Sequence, residues 1–380
     1  MTNENEFEVA IIGAGTMGMA AGAYLAQQNV KTVLIDRFDP PHHSGSHHGT
    51  TRMIRHAYGE GRQYVTLVKR AQQLWEELEK QSDHRIFEKT GVLGLGPSTS
   101  TFLEETRKSA EKYDLPLEVL SAQQIKDKWP GISIPDDYIG CFETDSGLIY
   151  SENAIQAYRG IALEHGAQLI TDTAVQQIDI TDKKHIKIVM PNQVISAQKA
   201  IVTAGAWAAK LLPDLKLPIQ PYRKVVGWFE APETLYHAAN FPSFYIEDNE
   251  KMFYGFPDLN GEGLKLGRTD GGQKIDPDQH TQNFGAYEED EQELRDLLQT
   301  YMPKADGLLK QSSTCLLTHS PDHDFIIDHH PENENVVIAC GFSGHGFKFG
   351  SVMGEVLSQL AVDGESEYDL SLFALKRFGL

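Results

Sequence analysis

Cysteine is scarce in this chain: 380 residues hold three, Cys141, Cys315 and Cys340. Three widely spaced thiols build neither a disulfide framework nor a zinc motif. Basic residues are also few, 34 Lys and Arg against 54 Asp and Glu, for a formal net charge of −20. That balance speaks against nucleic acid and anionic membranes as partners, because phosphates need clustered Lys and Arg. An anionic small molecule stays open wherever a few cations converge. Long apolar runs are missing, with one near exception. Val9 to Val30 carries no charge, but Gly13, Gly15, Gly18 and Gly22 interrupt it. A strand, a glycine turn and a helix explain that stretch better than a membrane span. The start, Met1 to Glu6, is acidic and has none of the basic character of a secretion signal. A cytoplasmic protein is therefore expected. With 40% apolar and 23% charged residues, the composition is that of an ordinary globular protein with a sizeable core.

Periodicity supplies the coarse organisation. Phe7 to Ile12 reads as a buried parallel strand, a helix follows to about Gln28, and Lys31 to Asp36 closes a βαβ unit. Arg62 to Lys80 has a helical apolar face of Tyr64, Val68, Ala71, Trp75 and Leu78, and a second helix begins near Ser151. Ala200 to Ala206 and Asn335 to Gly341 are further buried strands that end in glycine. Between them, Val225 to Phe229 and Met252 to Phe256 read as aromatic strands, with an acidic helix from about Glu288 to Tyr301. This pattern predicts a discontinuous nucleotide-binding domain with a mostly β domain inserted in it.

The sharpest motif is Gly13-x-Gly15-x-x-Gly18. It follows a strand, opens a helix, and is answered by Asp36 at the end of the next strand. The first glycine permits the turn, the second admits a pyrophosphate against the backbone, and the third lets helix and strand pack closely. The helix N-terminus favours the phosphate charge, and Asp36 suits ribose hydroxyls. By itself the motif does not separate NAD from FAD.

Three longer segments do. Ser46 to Gly61, which contains His47, His48, Arg52 and Arg55, resembles the segment after the second strand in the monomeric sarcosine oxidase and N-methyltryptophan oxidase family. Gly341 to Phe349, with Gly344, His345, Gly346 and Lys348, resembles the family's C-terminal flavin and substrate motif. Thr314-Cys315, ahead of the strand Phe325 to Asp328, resembles the site of its cysteinyl flavin link, and the Gly263 to Gly267 strand also matches. The resemblance runs from about Val9 to Phe378. It implies an α/β plus α+β architecture. A Rossmann-like FAD domain of glutathione-reductase type would be drawn from 1–85, 146–220 and 315–380. A mainly antiparallel β substrate domain would come from 86–145 and 221–314.

Each candidate residue has a plainer reading beside that one. Cys315 alone reads as a small buried hydrophobe; the resemblance makes it the covalent anchor of FAD. Cys340 reads as core. The histidines His42, His43, His47 and His48 lie in a Pro- and Gly-bearing loop without ligand spacing, so no metal is expected. The resemblance drapes that loop over the flavin, with imidazoles donating hydrogen bonds. Most arginines are surface cations, yet on this loop Arg52 and Arg55 make an anion pocket to which Lys348 adds a point charge. The resemblance assigns Arg55 and Lys348 to the substrate carboxylate and sets Arg52 nearer the flavin ring. Lys265 sits between Leu264 and Leu266, and alternation alone allows it a solvent face. The resemblance puts it beside the flavin, as a fixed cation for superoxide developing during oxygen reduction. His345 and Tyr254 complete the catalytic set.

Two positions depart from the family: its histidine and tyrosine that face substrate correspond to Thr269 and Leu317. The implied activity is FAD-dependent oxidation of N-methyl amino acids by molecular oxygen, in a monomer, giving amino acid, formaldehyde and hydrogen peroxide. The alternatives are a flavin oxidase of another secondary amine or cyclic imino acid, a silent flavin-binding protein, and an NAD-dependent dehydrogenase.

Overall fold

The computed structural model describes residues 5–249, 251–279 and 283–380. The strand Glu6–Ile12 (β1), the helix Thr16–Gln27 (α1) and the strand Thr32–Ile35 (β2) form the expected βαβ unit, with β1 and β2 parallel. On the other side of β1 runs Val194–Val202, also parallel. That strand serves two partners along one edge: its first half pairs antiparallel with Ile186–Val189, and Ala200, Ile201 and Val202 pair parallel with Asn333–Cys340. Gln168–Ile170 extends the sheet beyond β2, and Ile326–His330 folds back on Asn333–Cys340. The central parallel strands therefore all end at one edge of this eight-stranded sheet.

Alternation along the strands explains its two cores. Val9, Ile11, Leu34, Ile201, Val337 and Ala339 face α1 and the helices Val65–Gln81, Ser151–Glu164 and Gly350–Asp363. Ala10, Ile12, Val33, Ile35, Ala200, Val202 and Ile338 face the layer that carries Ile186, Ile188, Leu212 and Leu217. Burial on both faces is why these strands read as continuous apolar runs.

Among the described residues the second sheet has nine strands, of which Gln273–Lys274 pairs with Tyr222 and Arg223. Gln220–Phe229 is flanked by Leu309–His319 and by Leu264–Arg268, after which come Lys251–Phe256, Ser243–Asp248, Val92–Pro97, Tyr138–Glu143 and Glu118–Ser121. All these pairs are antiparallel except Ser243–Asp248 with Val92–Pro97. Gln220–Phe229 and Leu309–His319 are unbroken strands, and they run across the expected segment ends at 220 and 315. A small sheet of Thr51–Ile54, Gly147–Tyr150 and Phe87–Glu88 accompanies the two large ones. Among the described residues no helix is long and apolar enough to cross a membrane.

The acidic helix Glu289–Tyr301 backs the second sheet through Leu294, Leu297 and Leu298. It is pinned by a buried fork, in which Arg223 Nη1 and Nη2 donate to Asp290 Oδ1 and Oδ2 at 2.8 and 2.7 Å. Removing one partner strands the other charge in the core. Asp290→Ala should therefore cost about 3–5 kcal/mol of stability in urea unfolding. A loss near 1 kcal/mol, the level of an exposed pair, would show that Gln273 Oε1 and the Asn283 carbonyl, which also accept from Arg223, suffice.

Candidate active site

The edge where the parallel strands end opens into a cleft lined by Gly13, Gly15, Asp36, His42, His47, Arg52, Leu317, Thr318, Gly344 and Gly346, among others. Its floor is the glycine turn. Gly13 has φ +96°, and a Cβ there would sit 2.6 Å from the Thr203 carbonyl oxygen. A Cβ on Gly18 would sit 2.0 Å from the Gly13 carbonyl oxygen, so only glycine lets α1 approach β1 this closely. Gly15 is different. It caps α1 without a side-chain hydrogen bond, and a Cβ on it would meet only His47 Nδ1, at 3.9 Å. The space above Gly15 is therefore open at a helix N-terminus, which is what a pyrophosphate needs.

Asp36 is buried at the end of β2. Its carboxylate accepts from the Ala14 N–H at 2.7 Å and the Phe38 N–H at 2.9 Å, with His42 Nε2 at 3.4 Å. His47 Nε2 accepts from the His42 N–H at 3.1 Å. Burial, with His42 and Arg52 nearby, holds the His47 pKa near 3, so its ring is neutral. His48 stacks edge-on against His43 and lies 3.4 Å from Glu152. Among the described residues no three His, Cys, Asp or Glu side chains are arranged around a metal position. One further wall atom is informative: Thr318 Oγ1 is buried with no hydrogen-bond partner. A hydroxyl left so inside a cleft wall points to a bound polar group.

Register in the second sheet gathers the remaining residues on one face. Residues directly opposite in antiparallel strands share a face, and Lys265 lies opposite both Trp228 and Phe256. Tyr254 lies opposite Gly267 and Tyr245, Cys315 opposite Lys224, and Leu317 opposite Tyr222. The other face, with Phe229, Phe244, Phe253, Leu264 and Leu266, is the core under the acidic helix. Lys265 is thus buried, and its solvent-face reading does not hold. Its ammonium donates to the Gly49 carbonyl, to the Thr51 carbonyl at 3.0 Å and to Thr51 Oγ1 at 3.1 Å. It also stands 4.8 Å from the Phe256 ring centre. Burial, reinforced by Arg52, pulls its pKa well below the usual lysine range. Burial raises the Cys315 thiol, against the pull of Arg52, Lys265 and Lys224. Tyr254, likewise enclosed, is pushed above the usual phenol range.

The loop after Thr51–Ile54 and the segment after Asn333–Cys340 close the chamber. Arg52 Nη2 donates to the Ser46 and His48 carbonyls at 2.7 and 2.6 Å, which holds the histidine loop in place. Arg55 Nη2 donates to both oxygens of Glu60, at 2.6 and 2.5 Å. Its Nη1 has only a long contact, 3.5 Å, to the Ala57 carbonyl. Burial alone would raise the Glu60 carboxyl, but Arg55, His345 and Lys348 hold it at about 2. Lys348 Nζ donates to the His345 carbonyl at 2.8 Å. Gly344, at φ +82°, brings the two departures together, because a Cβ there would lie 3.3 Å from Leu317 Cδ1 and 3.5 Å from Thr269 Cγ2. Sequence reasoning missed Glu60, Tyr58 and Thr318. The available signal was weak: one carboxylate in an otherwise basic loop, and a hydroxyl three residues past Cys315.

A glycine-turn cleft at the ends of parallel strands, with buried cations packed beside it, defines a dinucleotide-binding oxidoreductase. The sequence signature of the family described as FAD dependent oxidoreductase matches residues 8–360, and the chain belongs to that family. FAD, not NAD, is therefore the dinucleotide. The chain is 52% identical over 375 residues to monomeric sarcosine oxidase of Bacillus sp. (strain B-0618), covering 98% of this chain and 96% of that one. It is 42% identical over 374 residues to N-methyl-L-tryptophan oxidase of Yersinia pestis (strain Pestoides F), covering 98% and 100%. Among solved structures, L-proline dehydrogenase from P. horikoshii superposes with a TM-score of 0.86 at 21% identity, covering 99% and 98%. The open form of NikD, an amino acid oxidase of nikkomycin biosynthesis, gives 0.85 at 22%, covering 97% of each chain. These two share the fold.

The open floor at Gly15, the carboxylate of Asp36 and the unpartnered Thr318 hydroxyl fit FAD. The glycines separate two roles. Gly15→Ala should leave the melting temperature of the apoprotein nearly unchanged and weaken FAD binding at least about tenfold, because its methyl fills the phosphate space. Gly18→Ala should destabilise the apoprotein itself, because its methyl overlaps backbone. Equal effects of the two substitutions on apoprotein melting would contradict this division.

Proposed function

We propose that this protein oxidises N-methyl amino acids, with FAD as the electron acceptor and molecular oxygen as the final oxidant. The observation that carries the reading is the pair of buried cations Arg55 and Lys348, which share one neighbouring carboxylate, Glu60. A ligand carboxylate supplies the charge such a site lacks. Arg55 Nη1 and the Lys348 ammonium are the groups placed to hold it. FAD, when bound, would supply the two-electron acceptor for oxidation of the N-methyl carbon–nitrogen bond and the route of those electrons to oxygen. The chain's own part is to bind and orient. Neighbouring cations and the enclosing rings of Tyr245 and Tyr254 disfavour a second positive charge, so the substrate amine sits there in its neutral, electron-donating form. The resulting imine hydrolyses to formaldehyde and the parent amino acid.

Cys315 is proposed as the covalent anchor of FAD, through its sulfur. Its place on the same sheet face as Lys265 supports it, with Arg52, Lys265 and Lys224 drawing the thiol down against the larger upward push of burial. Lys265 is proposed to stabilise negative charge arising on oxygen, Arg52 to fix the histidine loop against the cofactor, and His345 to orient the substrate-binding lysine. Thr269 and Leu317 leave the preferred side chain open to variation from the sarcosine enzyme. The three cysteines are all free, which suits a cytoplasmic location. A monomer is the proposed working unit.

Two measurements test these roles. Acid-precipitated wild type should retain its yellow colour in the pellet, and Cys315→Ala should release it; colour lost from wild type would refute the link. Lys265→Met removes the charge and keeps the stem. It should slow reoxidation by oxygen by about two to three decades, by analogy with losing one oxyanion donor, while anaerobic reduction by substrate changes far less. Stopped-flow absorbance separates the two steps. Collapse of reduction with normal reoxidation would make Lys265 a substrate-binding or structural residue.

A further inference from the structure

Nothing in the sequence pattern singles out Tyr58, yet the structure buries it completely between the two cations of the carboxylate clamp. The Arg55 guanidinium carbon stands 4.5 Å from its ring centre and the Lys348 ammonium 5.3 Å. Its hydroxyl lies 2.8 Å from His345 Nδ1 and 3.3 Å from Lys348 Nζ. Beyond the imidazole, His345 Nε2 lies 3.0 Å from the backbone oxygen of His323.

The direction of every hydrogen in this chain follows from its last member. A carbonyl oxygen only accepts, so His345 Nε2 carries a hydrogen. Burial lowers the His345 pKa to about 4, with Glu60 opposing and Lys348 assisting. At neutral pH the ring therefore holds one hydrogen, and Nδ1 is an acceptor. Burial keeps the Tyr58 phenol far from ionising, so Tyr58 donates to Nδ1. That turns its oxygen lone pairs towards Lys348, which donates to it.

We propose that Tyr58 is a positioning residue for substrate binding, whose hydroxyl, oriented by His345, holds the Lys348 ammonium in place and charged to receive the substrate carboxylate. The proposal rests on the clamp of Arg55 and Lys348 proposed above. The groups facing Lys348 are Arg55, Tyr58 and Glu60 from the loop after Thr51–Ile54, and His345 from its own segment. Tyr64, hydrogen-bonded to Asp324 at 2.6 Å, stacks behind Tyr58. Burial and Arg55 bring the Lys348 pKa down to about 7, against Glu60. The ammonium is thus close to half-protonated at neutral pH, where one acceptor for its charged form decides the balance. Losing that acceptor moves the equilibrium down by about one pH unit.

The test uses methoxyacetate, in which oxygen replaces the oxidisable amine, titrated into holoenzyme between about pH 6 and pH 10 and read by flavin absorbance. Wild-type affinity should fall above a break set by the Lys348 pKa, and Lys348→Met should remove the break. Tyr58→Phe keeps the ring packing and FAD content. It should move the break down by about one unit and weaken binding above it about tenfold. An unmoved break would overturn the proposal and leave the clamp standing. If Lys348→Met binds methoxyacetate with the wild-type profile, the clamp itself fails and the proposal with it. A ligand-free measurement on wild type is independent of the variant's folding. With ¹⁵N-labelled histidine, His345 should show an unprotonated Nδ1 and a protonated Nε2, and the reverse tautomer would overturn the proposal.

Discussion

Burying positive charge is the constraint on which the site depends. Arg55, Lys265 and Lys348 are all withdrawn from water, and each would lose its hydration without return unless oxygen atoms replaced it. The protein answers each differently. Lys265 is met by carbonyls and a hydroxyl of Gly49 and Thr51, Arg55 by the Glu60 carboxylate, and Lys348 by a phenol and a carbonyl. Neutral oxygens hold a cation in position without cancelling its charge. The charged form of each is thus available to an anion that enters or forms beside it, against the burial that pulls Lys265 and Lys348 towards neutrality.

The two sheets divide the labour. Parallel strands end together at the glycine turn, whose open floor at Gly15 and buried Asp36 fit a dinucleotide's phosphates and ribose. The antiparallel strands give a face on which every second residue is available, and the register Trp228, Lys265, Phe256 turns that face into the chamber wall. The histidine loop connects the two. Arg52 ties its backbone, and the Gly49 carbonyl from the same loop receives the Lys265 ammonium. The histidine loop and the two cations are therefore coupled through a few backbone carbonyls.

How much of this could be read from sequence varies with the range of the interaction. Gly18 and Asp36 meet Gly13 and Ala14 within one βαβ unit, and their spacing predicts them, whereas the Thr203 carbonyl that a Gly13 side chain would strike comes from a distant strand end. Lys265 is harder, because alternation says only that it opposes Leu264 and Leu266. Which face is buried depends on Trp228 and Phe256 across the sheet, and on the acidic helix that covers the leucines. Tyr58 and Glu60 escape local reading altogether. The partners of Tyr58 are nearly three hundred residues away, and Glu60 becomes a partner of Arg55 only when the loop closes on itself. The segment 86–145 has capped helices at Ser100 and Ser121, but periodicity does not reveal that its strands join the sheet of residues 220–319.

The central claim is that Arg55 and Lys348 bind the carboxylate of an N-methyl amino acid in reach of the flavin. Anaerobic mixing of the holoenzyme with N-methylglycine and, separately, with N-methylglycinamide, compared at equal concentration of neutral amine, tests it most directly, because the amide keeps the N-methyl amine and lacks the carboxylate charge. Each charged hydrogen bond to a buried carboxylate is worth about 1.5–3 kcal/mol. The amino acid should therefore bleach the yellow flavin at least about a hundredfold faster at low concentration than the amide does. Equal bleaching by both, or by neither across a panel of N-methyl amino acids, would contradict it.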